Sequence, residues 1–101
     1  MSISRSLAEL TKGTQVTVNT VMPGSTMTAS VQDFVAEVFP GVPLAEAEAR
    51  FIAENRSTSL LGRFLRPQEI ADAVAFVASP LASGMSGAAM RVDGGLVHHI
   101  I

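Results

Sequence analysis

The stretch Val16–Thr28, reading VTVNTVMPGSTMT, constrains the fold of this chain more than any other. Val16 to Met22 is apolar and rich in β-branched side chains, broken by the amide of Asn19, a composition that suits a half-buried or buried strand. Pro23-Gly24 ends it, because proline fixes φ and removes a donor while glycine permits a tight turn. Ser25, Thr26 and Thr28 follow at once, so the strand releases small hydroxyls into a loop. Open parallel sheets bind ligands outside the carboxyl ends of their strands, which makes this loop the first candidate site.

The remaining pattern is mostly helical. Ile3, Leu7 and Leu10 recur at i, i+4 and i+7 and predict a helix over Ser2–Lys12, with Gly13 placed to end it. Val31, Phe34, Val35, Val38 and Phe39 form the apolar stripe of an amphipathic helix over Ser30–Phe39, which Pro40-Gly41-Val42-Pro43 breaks. A further helix is expected over Leu44–Asn55, with Leu44, Ala47, Phe51 and Ile52 on one side. Its Glu46 and Arg50 are spaced for an i, i+4 ion pair. Ser57–Arg66 reads as a loop. Pro67 suits a first helical position, Gln68 and Glu69 complement the helix dipole, and Ile70, Val74 and Val77 supply the stripe of a helix that Pro80 closes. Small residues lead to a last strand, Ala88–Val92, and then Asp93-Gly94-Gly95 and an apolar tail, LVHHII, expected to pack on a neighbouring subunit.

Two strands separated by helices imply an α/β fold with a parallel pair joined by a right-handed crossover. Parallel sheets normally have several strands and both faces covered, so at least one edge of the Val16–Met22 strand is expected to pair with a further strand. Composition agrees. The chain of 101 residues is 48% hydrophobic and only 16% charged, against a usual charged share of about 25%. That is too apolar for a small monomer covering its own surface.

Other chemistries are poorly supported. The net charge of −2 and the scattered Lys and Arg give no basic face for nucleic acid. Cysteine is absent, which removes thiolate nucleophiles and thiolate metal sites and fits a reducing, cytoplasmic setting. No apolar run approaches the roughly 18 residues of a membrane span, and residues 1–12 do not form a secretory signal. His98 and His99 are adjacent with no carboxylate at ligand spacing, so no metal site is expected. No serine lies in a Gly-x-Ser-x-Gly setting, and no phosphate-binding glycine motif occurs.

Val18, Asn19, Val21, Pro23, Gly24 and Thr28 reproduce a run V-N-x-V-x-P-G-x-x-x-T, and Gly62–Gly95 leads through a Pro-started helix to Val-Asp-Gly-Gly. In this order and spacing the two segments resemble the C-terminal portion of the short-chain dehydrogenase/reductase family. The resemblance implies the C-terminal part of a Rossmann-like doubly wound parallel sheet, two parallel strands with covering helices, incomplete without further strands. It divides the chain into a helix remnant (1–13), a strand and cofactor loop (14–29), a helical lid region (30–61), and a helix with the final strand (62–101). It implies that Pro23, Gly24 and Thr28 contact the nicotinamide end of NAD or NADP, and only in a completed assembly.

Two readings stand for the helices of residues 30–61: ordinary core packing, or a lid over a small-molecule substrate with Phe34, Phe39, Phe51, Leu60 and Leu61 as its apolar wall. The family's Tyr-x-x-x-Lys pair and pyrophosphate-binding glycines would lie upstream. This chain has no tyrosine, and Lys12 stands at the wrong end of its helix. No catalytic residue is therefore assigned, and the chain alone is expected to be inactive. Phe64-Leu65 departs from the family, which often has glycine there. Asp93-Gly94-Gly95 reads as a structural turn. The expected partners are a complementing N-terminal half or further copies of the chain. A non-catalytic oligomerisation or interaction module, and an unrelated small α/β domain, remain the alternatives.

Overall fold

Thr20–Pro23 (β1) and Ala89–Val92 (β2) pair in parallel, with Thr20 opposite Ala89 and Pro23 opposite Val92. This pair is the sheet of a computed structural model that describes residues 2–97. Between the strands lie helices α2 (Ala29–Val38), α3 (Leu44–Asn55) and α4 (Pro67–Val77), and α1 (Ser2–Leu10) precedes them. The fold is α/β, a partial Rossmann-like arrangement.

β1 is shorter than the expected Val16–Met22 and starts four residues later. A ladder needs a partner, and β2 begins only at Ala89. Upstream of it the chain is held by single bonds instead. The Gly87 N–H donates to the Val18 carbonyl at 2.7 Å, and the Asn19 amide donates to the Met85 carbonyl and accepts from the Ala88 N–H. Asn19 thus clamps the entry to β2, which explains an amide inside an apolar run.

The hydrophobic core does not sit on the sheet. Val35, Phe39, Ala47, Ile52 and Phe64 form it, so it lies between α2, α3 and the segment that follows them. Thr28 caps α2 through its side chain, and α3 spans the expected residues. The α2 stripe is only half used: Val35 and Phe39 are buried, whereas Phe34 and Val38 are exposed at its margins. Arg50 does not pair with Glu46. It lies over the Phe39 ring, 4.7 Å from the centroid, and covers an aromatic face of the core.

Residues 57–66 are more than a loop. Phe64 and Leu65 are both 3% exposed, and Leu65 makes a parallel bridge to Thr26. Phe64 also stacks on Phe51 at 5.5 Å, so the departure from a family glycine fills core space. α4 lies against β1 and ends at Val77, and Pro80 opens a separate 3-10 turn, Pro80–Ala82, rather than closing the helix. His98 and His99, and the end of the apolar tail, lie outside the described residues. Among the described residues no helix is long and apolar enough to cross a membrane.

Candidate functional site

The candidate site is the loop that leaves the carboxyl end of β1. Pro23 is exposed and is the last residue of the strand, and Gly24 donates to the Val92 carbonyl at 2.9 Å. A Cβ on Gly24 would fall 2.7 Å from Asp93 Cα and 2.8 Å from Asp93 Cβ, so only glycine lets the two strand ends close up here. The loop is then pinned from the other side. Leu65 donates to the Ser25 carbonyl and receives the Met27 N–H, both at 2.8 Å.

Within this frame three polar groups stay available. The Ser25 and Thr26 N–H groups bond to no other group among the described residues. Thr28 Oγ1 accepts from the Val31 N–H at 3.3 Å as the cap of α2, which leaves its own proton for another acceptor. Thr26 differs, because its hydroxyl donates to the Gly24 carbonyl at 2.9 Å and tightens the turn. The loop therefore offers backbone and hydroxyl donors at the strand ends, where an open α/β sheet binds its ligand.

The five apolar wall candidates are not gathered together. Phe34 and Phe51 meet edge to face at 5.9 Å, while Phe39 is buried in the core. Leu60 is 85% exposed and lies over Gly95, and Leu61 lies over Gly94. A void of about 10 Å³ lies below the loop among Ser25, Arg56, Ser59, Arg63 and Asp93, room for about one water. A larger cleft of about 490 Å³ lies between the end of α1 and residues 83–86, at the amino ends of the strands and so on the wrong side for the loop.

A charged network beside the loop had only a partial sequence signal. Arg63 holds Glu69 with two bonds, of 2.8 and 3.0 Å, and Glu69 also accepts from the Arg66 N–H at 2.8 Å. Arg66 reaches the carboxylate of Glu48, which is buried on α3 and accepts the Phe64 N–H at 2.9 Å. The Arg63 guanidinium, followed by the Arg66 N–H, lowers the Glu69 carboxyl to about 2. Arg66-Pro67-Gln68-Glu69 carries the capping spacing that announces this end of the network. Nothing in the sequence sets Glu48 apart from Glu46 and Glu54, the exposed glutamates of the same helix.

A family model described as enoyl-(acyl carrier protein) reductase matches residues 1–97. The uncharacterized oxidoreductase YvaG of Bacillus subtilis is 58% identical over 102 aligned positions, which cover 99% of this chain and 39% of YvaG. The chain belongs to the short-chain dehydrogenase/reductase family. It spans about 39% of the length of YvaG and of the uncharacterized oxidoreductase YvrD of Bacillus subtilis. Solved short-chain dehydrogenase/reductase structures agree in fold. An NADPH-bound short-chain oxidoreductase of Pseudomonas aeruginosa superposes with a TM-score of 0.81 at 29% identity, over 98% of this chain and 36% of its own. L-Sorbose reductase of Gluconobacter frateurii, complexed with NADPH and L-sorbose, gives 0.82 at 25% identity, over 98% of this chain and 37% of its own.

Proposed function

We propose that this chain supplies the nicotinamide-side loop, the substrate lid and a subunit interface of an NAD(P)-dependent oxidoreductase, and that it is not catalytic alone. The observation that carries this reading is the Pro23–Thr28 loop, with spare Ser25 and Thr26 N–H groups beside a Thr28 hydroxyl at the strand ends. A carboxamide oxygen can accept from the spare amides, and the Thr28 proton suits a cofactor oxygen. When bound, the nicotinamide supplies the hydride acceptor or donor. This chain's part is to orient the ring with a backbone that Gly24 and Asp93 hold in place. The general acid/base of the reaction comes from elsewhere, since the chain has no tyrosine.

The lid reading draws on Phe34 and Phe51, which leave an aromatic pair at the margin of the core. A second reading, an oligomerisation module without cofactor, draws on α1, where Ile3 is 76% and Leu10 82% exposed. Native mass spectrometry with and without NADPH separates the two. An assembly that retains NADPH supports the oxidoreductase reading. Self-association that ignores NADPH, in material supplied with the preceding portion of such an enzyme, would overturn it.

A further inference from the structure

Asp93 follows β2 directly and directs a turn in which Gly94 and Gly95 both take left-handed conformations, with φ of 65° and 78°. Two glycines in succession are a weak support for anything attached to them, because glycine has the most backbone freedom to lose. The Asp93 carboxylate removes that freedom. One oxygen accepts from the Gly95 N–H at 3.0 Å and the other from the Val97 N–H at 3.2 Å, charge-assisted bonds that close the turn.

The turn touches two parts of the site that are far apart in sequence. On one side the Asp93 backbone abuts Gly24 so closely that no Cβ fits between them. On the other, the Gly94 carbonyl accepts from both Leu60 and Leu61 N–H groups at 3.0 Å, and Thr58 Oγ1 donates to the Leu96 carbonyl at 2.6 Å. Residues 58–61 continue the chain from the end of α3, so they form the base of the lid. Arg56 Nε donates to Ser25 Oγ at 3.2 Å and closes the circuit directly between lid base and loop.

We propose that Asp93 is a positioning residue: its turn fixes the nicotinamide-side loop against the base of the lid, so that a displacement of one is felt by the other. This rests on the reading of Pro23–Thr28 as the cofactor loop. Asp93 touches no reacting atom and acts through Gly24 and Gly94.

Amide hydrogen exchange followed by NMR on the full chain tests the coupling without any cofactor. Gly24→Ala pushes on Asp93 from the loop side. It is expected to speed exchange at the Leu60 and Leu61 amides on the order of tenfold more than at the α2 amides, which report only the overall loss of stability. Asp93→Ala should do the same from within the turn. Asp93→Asn should restore most of the protection, since its amide oxygen still accepts from the Gly95 N–H.

Unchanged Leu60 and Leu61 exchange in Gly24→Ala and Asp93→Ala overturns the proposal, as does a loss of protection at Leu60 and Leu61 no greater than that of the α2 amides. If Asp93→Ala does not fold, Gly24→Ala and Asp93→Asn still decide the matter through the same amides. Failure of NADPH to bind the completed assembly would strike the cofactor reading and leave this exchange result intact, so the two failures are distinguishable.

Discussion

Gly24 and Phe64 each make one demand that a single substitution exposes. At Gly24 the obstacle is the Asp93 backbone, which cannot rotate away as a side-chain tip would. Gly24→Ala should therefore lower stability by about 1–3 kcal/mol, the usual cost of overpacking, and weaken NADPH binding by the completed enzyme. Gly84 is the control. Nothing lies within 4 Å of a Cβ there, and its backbone is not left-handed, so Gly84→Ala should leave the urea midpoint and NADPH affinity close to wild type. Equal effects of the two alanines would remove the special status of Gly24. Phe64 is 3% exposed and stacks on Phe51. Phe64→Ala should cost about 3–5 kcal/mol in urea unfolding, and a cost under about 1 kcal/mol would mean that the aromatic core is not where the structure puts it.

At the scale of elements, α3 and α4 are joined through charge. The buried Glu48 carboxylate satisfies the Phe64 N–H and an Arg66 guanidinium together. Glu48→Ala leaves that N–H without an acceptor, and should destabilise by about 1–3 kcal/mol; Glu48→Gln, which keeps a carbonyl oxygen, should cost less. The start of α4 adds a pH dependence. The Glu69 carboxyl is depressed from 4.5 to about 2, chiefly by its bonds to Arg63 and then by the Arg66 N–H. A depressed carboxyl stabilises the fold above its unfolded value and loses that contribution as pH falls through its folded value. Stability should thus decline between about pH 4.5 and pH 2, and Glu69→Gln, which keeps the cap but cannot titrate, should flatten that limb of the profile. An identical acid profile in Glu69→Gln would mean that other groups control it.

The whole molecule is elongated, 57 × 25 × 21 Å, with a Cα radius of gyration of 16.8 Å. A compact chain of this length has a radius near 13 Å. The difference lies in where apolar surface is left uncovered: Ile3 and Leu10 on α1, Val74 and Phe76 on α4, and Leu81 in the turn that follows are all exposed, while no strand residue is fully buried. Such faces suit the neighbouring elements of a larger α/β sheet, in keeping with relatives of which the chain spans about 39%. For the isolated chain we expect no oxidation of NADPH in the presence of carbonyl substrates, measured by cofactor absorbance. Sustained turnover by pure material would show that the chain holds an acid/base the fold does not reveal.

The helices, the parallel strand pair and the family resemblance were legible in the sequence because they rest on local rules. Apolar spacing at Val31, Val35 and Phe39 sets a helix face, Pro67 and Glu69 mark a helix start, and a β-branched run ending at Pro23-Gly24 marks a strand end. The length of β1 was not legible, because a ladder extends only as far as its partner and Ala89 is 69 residues away from Thr20. Nor was the division of labour among the aromatics. Periodicity puts Phe34 and Phe39 on one stripe, but only the packing of α3 and Phe64 decides that Phe39 is buried and Phe34 is not. Glu48, Arg66 and the contact of Gly24 with Asp93 depend on residues that meet only when the chain has closed on itself. Local chemistry fixed which residues could turn, cap or line a strand; the long-range contacts determined which of them hold the loop in place.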